Sequence, residues 1–182
     1  MIAQELLDTG ILQFGLFVED EQEKPYRLRL ELLSAYPPFM QQIVYRTVQA
    51  LPMKMFDRLV SHSDCVPLAS AVSLHTGIPL VYSRGRGEGA VHDLVGAYDV
   101  GHPACLIVNT WDKSLSDFLA NCRRVGLEIH SIVEIIGRGS SVEGIELHTV
   151  YTLKAILQQL QQDKLIPKEL VETVQQFMEE SS

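Results

Sequence analysis

The chain has 182 residues, 46% of them hydrophobic and 21% charged, which suits one globular unit with a sizeable core. Its formal net charge of -8 argues against a general binder of nucleic acid or of an anionic membrane, since both favour a positive face. No apolar run reaches membrane-spanning length and Met1-Ile2-Ala3-Gln4-Glu5 has no basic leader, so a cytoplasmic location is expected.

Taken in order, Ile2 to Thr9 reads as a short helix with Leu6 and Leu7 inward and Gly10 as its stop. An apolar segment, Ile11 to Phe17, follows. Val18 to Lys24 is strongly acidic and reads as a solvated hairpin turn. Pro25 to Leu32 alternates polar and apolar, the pattern of a half-buried strand. Pro37 and Pro38 open a helix running to about Leu51, with Phe39, Ile43, Val44 and Val48 on one face. Phe56 to Val60 is a strand, and after Ser61 to Ala69 a helix continues to His75. Gly77 ends that helix, Leu80 to Ser83 is the next strand, and Arg84 sits at its end. The loop Gly85 to Asp93 is glycine-rich and lacks lysine, with Arg86 and His92 as its cationic side chains. Its spaced glycines do not follow the order of a dinucleotide-binding fingerprint.

The centre of the chain is Ala104 to Gly137. Ala104 to Val108 is an apolar run of strand length, and Asn109 to Lys113 is a polar break. Phe118, Leu119, Cys122 and Val125 recur at helical spacing, Gly126 stops that helix, and Ile129 to Ile136 is a second apolar run. Two such runs flanking an amphipathic helix mark a βαβ unit with parallel strands. Ligands bind beyond the carboxyl ends of such strands, so Asn109 to Ser116 is where a site is expected. Asp117 suits the first turn of the helix. Ile145 to Val150 is a last strand, Thr152 an N-cap for the helix Leu153 to Asp163, and Pro167 the start of a final helix with Leu170, Val174 and Phe177 inward. The three cysteines, Cys65, Cys105 and Cys122, form no CxxC pair and read as small core residues in a reducing compartment. His62 is open to two readings, a binding or titrating group and a plain surface side chain.

In order and spacing, these segments resemble the type I phosphoribosyltransferases, specifically orotate phosphoribosyltransferase. The resemblance rests on Phe14-Gly15-Leu16-Phe17, Pro25-Tyr26, Val66-Pro67-Leu68-Ala69, Thr76-Gly77-Ile78-Pro79-Leu80, the strand Ala104 to Val108 and Arg138. It implies an α/β fold with a mostly parallel sheet, helices on both faces and a small N-terminal helix-strand region. It implies one domain over 1–182, with 1–35 as a hood-like region and 36–182 as the core. By resemblance Asn109, Thr110, Lys113, Ser114 and Ser116 stand where the family holds ribose and phosphate. Arg84 stands at its pyrophosphate position, and Arg138 and Tyr26 at its base site.

The family's charged parts are altered in this chain. Its acidic pair is Asn109 and Thr110, which hydrogen-bond hydroxyls without charge. Its glycine turn, which lets backbone N–H groups approach pyrophosphate, is Asp64-Cys65. Its Lys-Ser-Gly turn is the acidic stretch after Phe17. Its Asp-Arg pair is Gly137-Arg138. Its lysine-containing loop is Gly85 to Asp93, which has no lysine. Loss of a transition-state contact typically removes about 2–4 kcal/mol, so the changes in the lysine turn, the glycine turn, the lysine loop and the acidic pair together erase most of a normal rate enhancement.

The expected function is therefore a binding or regulatory module for a small anion such as phosphoribosyl pyrophosphate, a nucleoside monophosphate or orotate. No catalytic residue and no metal site is assigned. The alternative is a divergent active transferase, making a pyrimidine nucleotide from orotate and phosphoribosyl pyrophosphate with Mg²⁺. A structural subunit without ligand is the second alternative. The resemblance also implies a homodimer.

Overall fold

The computed structural model describes residues 2–19, 22–53, 56–85, 93–98, 101–112, 115–138, 142 and 144–180. A short helix α1 (Ile2–Asp8) leads into a hairpin of β1 (Leu12–Glu19) and β2 (Gln22–Leu28), closed by a 3-10 turn, Leu30–Ala35. The main sheet follows as α2 (Pro37–Ala50), β3 (Arg58–Ser61), α3 (Val66–Thr76), β4 (Leu80–Ser83), β5 (Leu94–Val95), β6 (His102–Val108), α4 (Leu115–Arg124), β7 (Leu127–Gly137), β8 (Glu146–Thr152), α5 (Leu153–Gln162) and α6 (Lys168–Glu180).

The sheet order is β5-β4-β3-β6-β7-β8. Every pairing is parallel except that of β5 with β4. The expected βαβ unit is β6-α4-β7, and the fold class is the one anticipated. Alternation along the central strands divides the core between two faces. Leu59, Cys105, Ile107, Val133 and Ile135 pack with α1, α2, α3, α5 and α6. Val60, Ala104, Leu106, Val108 and Ile132 pack under α4 through Leu115, Phe118, Leu119 and Cys122. Both faces of the sheet are covered, which is why its strands read as continuous apolar runs.

Local signals place several ends. Gly77 has φ 73, and its N–H closes on the Ser73 carbonyl at 2.8 Å, a left-handed cap that a side chain would strain. The Thr152 hydroxyl accepts from the Ala155 N–H at 3.3 Å, so the anticipated N-cap forms. Four expectations need correction. The strand drawn through Leu32 stops at Leu28, because Leu30 and Leu33, three apart, both turn into the core on the 3-10 turn. The acidic stretch after Phe17 is mostly strand, with Val18 paired to Glu23 and Phe17 to Lys24. Among the expected inward residues of α6, Val174 is buried and Phe177 only partly so, and Val171 joins the core. The apolar run in β7 carries a register shift opposite Ala104 and Cys105, with His130 exposed ahead of the buried stretch from Ser131 to Gly137.

Candidate functional site

Because β3, β4, β6 and β7 run parallel, their carboxyl ends lie along one edge of the sheet. That edge carries Arg84 after β4, His62 and Asp64 after β3, Asn109 to Asp112 after β6, and Arg138 after β7. β4 and β7, the strands that Arg84 and Arg138 follow, lie three strand spacings apart in the sheet, about 14 Å at about 4.8 Å each. An edge of this kind, at the strand termini of an α/β sheet, is where ligands bind.

Its middle is tied by short-range polar bonds. The Asn109 amide donates to the main-chain oxygen of Asp64 at 3.0 Å and to its carboxylate at 3.2 Å. The other oxygen of that carboxylate lies 2.8 Å from Nδ1 of His62. The His62 ring meets Phe118 edge-on, with centroids 5.3 Å apart. The hydrogen bond to Asp64 raises the His62 pKa, burial works against it, and the charges of Asp64, Asp112 and Asp93 add to the rise. For Asp64, burial pushes upward, but the bond and charge of His62 and the bond from Asn109 outweigh it and leave the carboxyl below its usual value. Of the two readings of His62, this arrangement fits a titrating group. A small cavity of about 10 Å³ adjoins Asp64 and Asn109, lined also by Leu33, Ser34 and Met40, with room for about one water.

Toward β7 the loop is bonded again. Ile136 N–H donates to the Asn109 carbonyl, and the Thr110 hydroxyl donates to the Ile136 carbonyl, both at 3.0 Å. The Trp111 N–H donates to Glu134 at 3.2 Å, and the Thr149 hydroxyl donates to the same carboxylate at 2.7 Å. Glu134 is fully buried. Its carboxylate occupies the space in which a Cβ at Gly137 would stand. Gly137 is thus a requirement of Glu134, and an aspartate at 137 has no room beside it. Sequence reading passed over Glu134. The available signal was a lone acid inside Ile132-Val133-Glu134-Ile135-Ile136, since a buried carboxylate needs donors.

Arg138 is held by aromatic faces. Its guanidinium lies 5.9 Å from the centroid of Tyr26 and 5.6 Å from that of Phe177, and these rings meet edge-on at 6.1 Å. Among the described residues, its contacts are these two rings, with no hydrogen bond or ion pair. Tyr26 is itself buried, which places its ring under Arg138 rather than in an open base pocket. Arg84 is exposed, with its N–H on the Asp93 carbonyl at 3.0 Å. The Ser83 hydroxyl donates to the Asp93 carboxylate. Ser116 is exposed on the first turn of α4, and Asp117 shares that turn. Lys113, Ser114, Arg86 and His92 lie outside the described residues. No group of three or more His, Cys, Asp or Glu among the described residues could hold a metal, and neutral Asn109 and Thr110 do not fit a resident Mg²⁺.

The sheet order, the hairpin before it and the loop edge after β6 define the type I phosphoribosyltransferase fold. A solved UMP synthase from Leishmania donovani superposes with a TM-score of 0.87 at 24% identity, covering 98% of this chain and 42% of that one. The chain thus spans less than half of that solved protein. In sequence it is 27% identical to an orotate phosphoribosyltransferase of Thermococcus gammatolerans over 165 residues, 86% of this chain and 87% of that protein. It is 28% identical to a hypoxanthine/guanine phosphoribosyltransferase of Methanococcus vannielii over 155 residues, 73% of this chain and 83% of that one. No family model matches. The chain is a relative of the type I phosphoribosyltransferases, with orotate phosphoribosyltransferases among its relatives.

Proposed function

We propose that this chain is an orotate phosphoribosyltransferase-like domain that binds a small anion or nucleotide and does not carry out the standard phosphoribosyl transfer. One observation carries the reading: the side chains at the ribose-contacting position bond to the protein itself. Asn109 gives its amide to Asp64, and Thr110 gives its hydroxyl to the Ile136 carbonyl. Both are neutral, so a cation-like ribose would meet no carboxylate from that pair. Binding is supported by Arg138, whose planar donors suit a carboxylate or phosphate. Lys113, Ser114, Ser116 and Arg84 would complete the anion's surroundings.

In this reading the domain spans 1–182, and its first 35 residues form a hood. It acts in the cytosol, where its three buried, unpaired cysteines remain reduced. It pairs as a homodimer, supported by Tyr45 on α2 and Leu74 on α3, two exposed apolar side chains on packed neighbouring helices. No described helix is long and apolar enough to cross a membrane.

The second reading, a divergent active transferase, is favoured by the relatives' names and by Arg138. Mg²⁺ would then arrive with the diphosphate rather than on this chain's side chains. A direct assay decides. Orotate consumption that depends on phosphoribosyl pyrophosphate and Mg²⁺, and that Arg138→Ala abolishes, would overturn the binding-only reading. Calorimetric heat with orotate or a nucleoside monophosphate and no turnover would support it. No heat with any of these ligands would favour a structural subunit.

A further inference from the structure

Among the described residues, Glu134 is the only buried carboxylate. It stands in β7 beside Val108 of β6 and Thr149 of β8. Its neighbours along the strand, Val133 and Ile135, are fully buried and apolar. A hydrophobic side chain at 134 would avoid the cost of taking a carboxylate out of water, so stability alone does not call for an acid there. What the acid supplies is a bridge. One oxygen accepts from the Trp111 N–H at 3.2 Å, in the loop after β6, and the other from the Thr149 hydroxyl at 2.7 Å on β8. The carboxylate also fills the space in which a Cβ at Gly137 would stand, so the main chain of Gly137 rests on it. Arg138 is the next residue, with its guanidinium over the rings of Tyr26 and Phe177.

We propose that Glu134 is a positioning residue: its carboxylate sets Arg138 over its two rings, through the Gly137 main chain, and fixes the loop after β6 in the same arrangement. The inference rests on the anion-binding reading above and adds that the site is preset before a ligand arrives. Ile136 already ties that loop to β7 through Asn109 and Thr110. Glu134 adds a third bond and carries the connection on to β8. Glu134 itself touches no ligand and acts through the residues it holds. A planar guanidinium fork gains from being aimed in advance, because less ordering is then required on binding.

The test compares Glu134→Gln, Glu134→Leu and Val72→Ala with the wild type. Glutamine keeps an acceptor for the Trp111 N–H, and its amide can donate to the Thr149 oxygen once that hydroxyl rotates, whereas leucine does neither. Val72 is buried on α3, so its truncation lowers stability away from Arg138. The first readout needs no ligand: the proton NMR shifts of the Arg138 side chain, which the two rings displace. The second is calorimetry with orotate. Glu134→Leu is expected to move the Arg138 shifts toward those of a free arginine and to weaken orotate binding tenfold or more. Glu134→Gln should keep the shifts and hold affinity within threefold. Val72→Ala should keep both while melting earlier. Unmoved shifts in a folded Glu134→Leu would overturn the proposal, as would an equal displacement in Glu134→Gln or in Val72→Ala. If Glu134→Leu fails to fold, Thr149→Val removes one of the two donors. It should move the shifts in the same direction, and unmoved shifts there would overturn the proposal too. A wild type that takes up no orotate would count against the anion-binding reading, while the ligand-free shifts would still decide the role of Glu134.

Discussion

Asn109 and Asp64 meet across the carboxyl ends of β6 and β3, the amide of one bonding both the carbonyl and the carboxylate of the other. This contact ties together the segments that follow two neighbouring parallel strands. It also explains a paired departure from the family pattern that the sequence resembles. The resemblance has an acid at the end of β6 and glycine at the end of β3. Here an amide and an acid stand at those places and bond to each other. A carboxylate at 109 would face the Asp64 carboxylate and carbonyl with no donor to offer.

Asn109→Asp is therefore expected to destabilise the protein by about 1–2 kcal/mol, from a lost hydrogen bond and a like-charge contact. Adding Asp64→Gly should recover part of that loss, because it removes the repelled partner. Urea unfolding of the two single variants and the double variant measures the coupling. Strict additivity would show that the contact has no energetic weight.

Glu134 and Gly137 form a second coupled pair. Gly137→Ala places a methyl group on the Glu134 carboxylate, which cannot move without leaving the Trp111 N–H and the Thr149 hydroxyl unpaired. The expected cost is about 2–4 kcal/mol, as for overpacking together with broken buried hydrogen bonds. Glu134→Ala alone should cost a similar amount. In the double variant the methyl clash disappears, so the loss should fall well short of the sum. Thermal unfolding of the four proteins checks this.

The His62–Asp64 pair gives a pH signature. The folded pKa of His62 is raised, so its contribution is fully present below its unfolded value of about 6.5 and is lost as pH rises through the folded pKa. The folded pKa of Asp64 is lowered, so its contribution is present above its unfolded value of about 3.9 and is lost as pH falls through the folded pKa. The two overlap between about pH 4 and 6.5. Both groups are partly exposed, so the effect should be no more than about 1 kcal/mol. Wild type minus His62→Gln stability, followed by denaturant unfolding, should be largest near pH 5–6 and shrink toward pH 8. A proton NMR titration should place the ring above its ordinary value.

Arg138 is expected to govern anion affinity. Arg138→Lys keeps the charge and loses the planar fork and the stacking on Tyr26 and Phe177, so orotate or monophosphate affinity should fall about tenfold. Phe177→Leu keeps an apolar side chain on α6 but removes one supporting ring. Its affinity should fall several-fold, with a melting temperature changed by only a few degrees. Calorimetry on both variants makes the comparison.

The three thiols should be silent in the native state. Burial pushes Cys105 up to about 11 and Cys122 up to about 12, and it raises Cys65 strongly, with the Asp64 charge adding to that rise. Little thiolate exists at pH 8, and the sulfurs are inaccessible. A chromogenic disulfide reagent should label the folded chain slowly and all three thiols once it is unfolded.

Much of the architecture was legible in one dimension. Leu80 to Ser83, the helix from Pro37 and the Thr152 cap came directly from apolar periodicity, proline placement and capping chemistry, all of them properties of neighbours along the chain. The parallel βαβ unit followed from two apolar runs around an amphipathic helix, and it placed a candidate site after Val108. The end of β2 falls short of the expected strand because alternation and a spacing of three look alike over a few residues. Leu30 and Leu33 reveal their turn only through what they pack against.

What the chain alone determined was the strand-helix rhythm, the edge where ligands would lie and the loss of charge at 109 and 110. Only the tertiary structure decided how those positions are used. Asp64 and Asn109 are 45 residues apart, and Glu134 meets the Trp111 backbone and Thr149 across three strands. Sequence distance carries no information about such contacts. They arise because parallel strands bring their carboxyl ends to one edge, where each polar group must find a donor or an acceptor before a ligand can claim it.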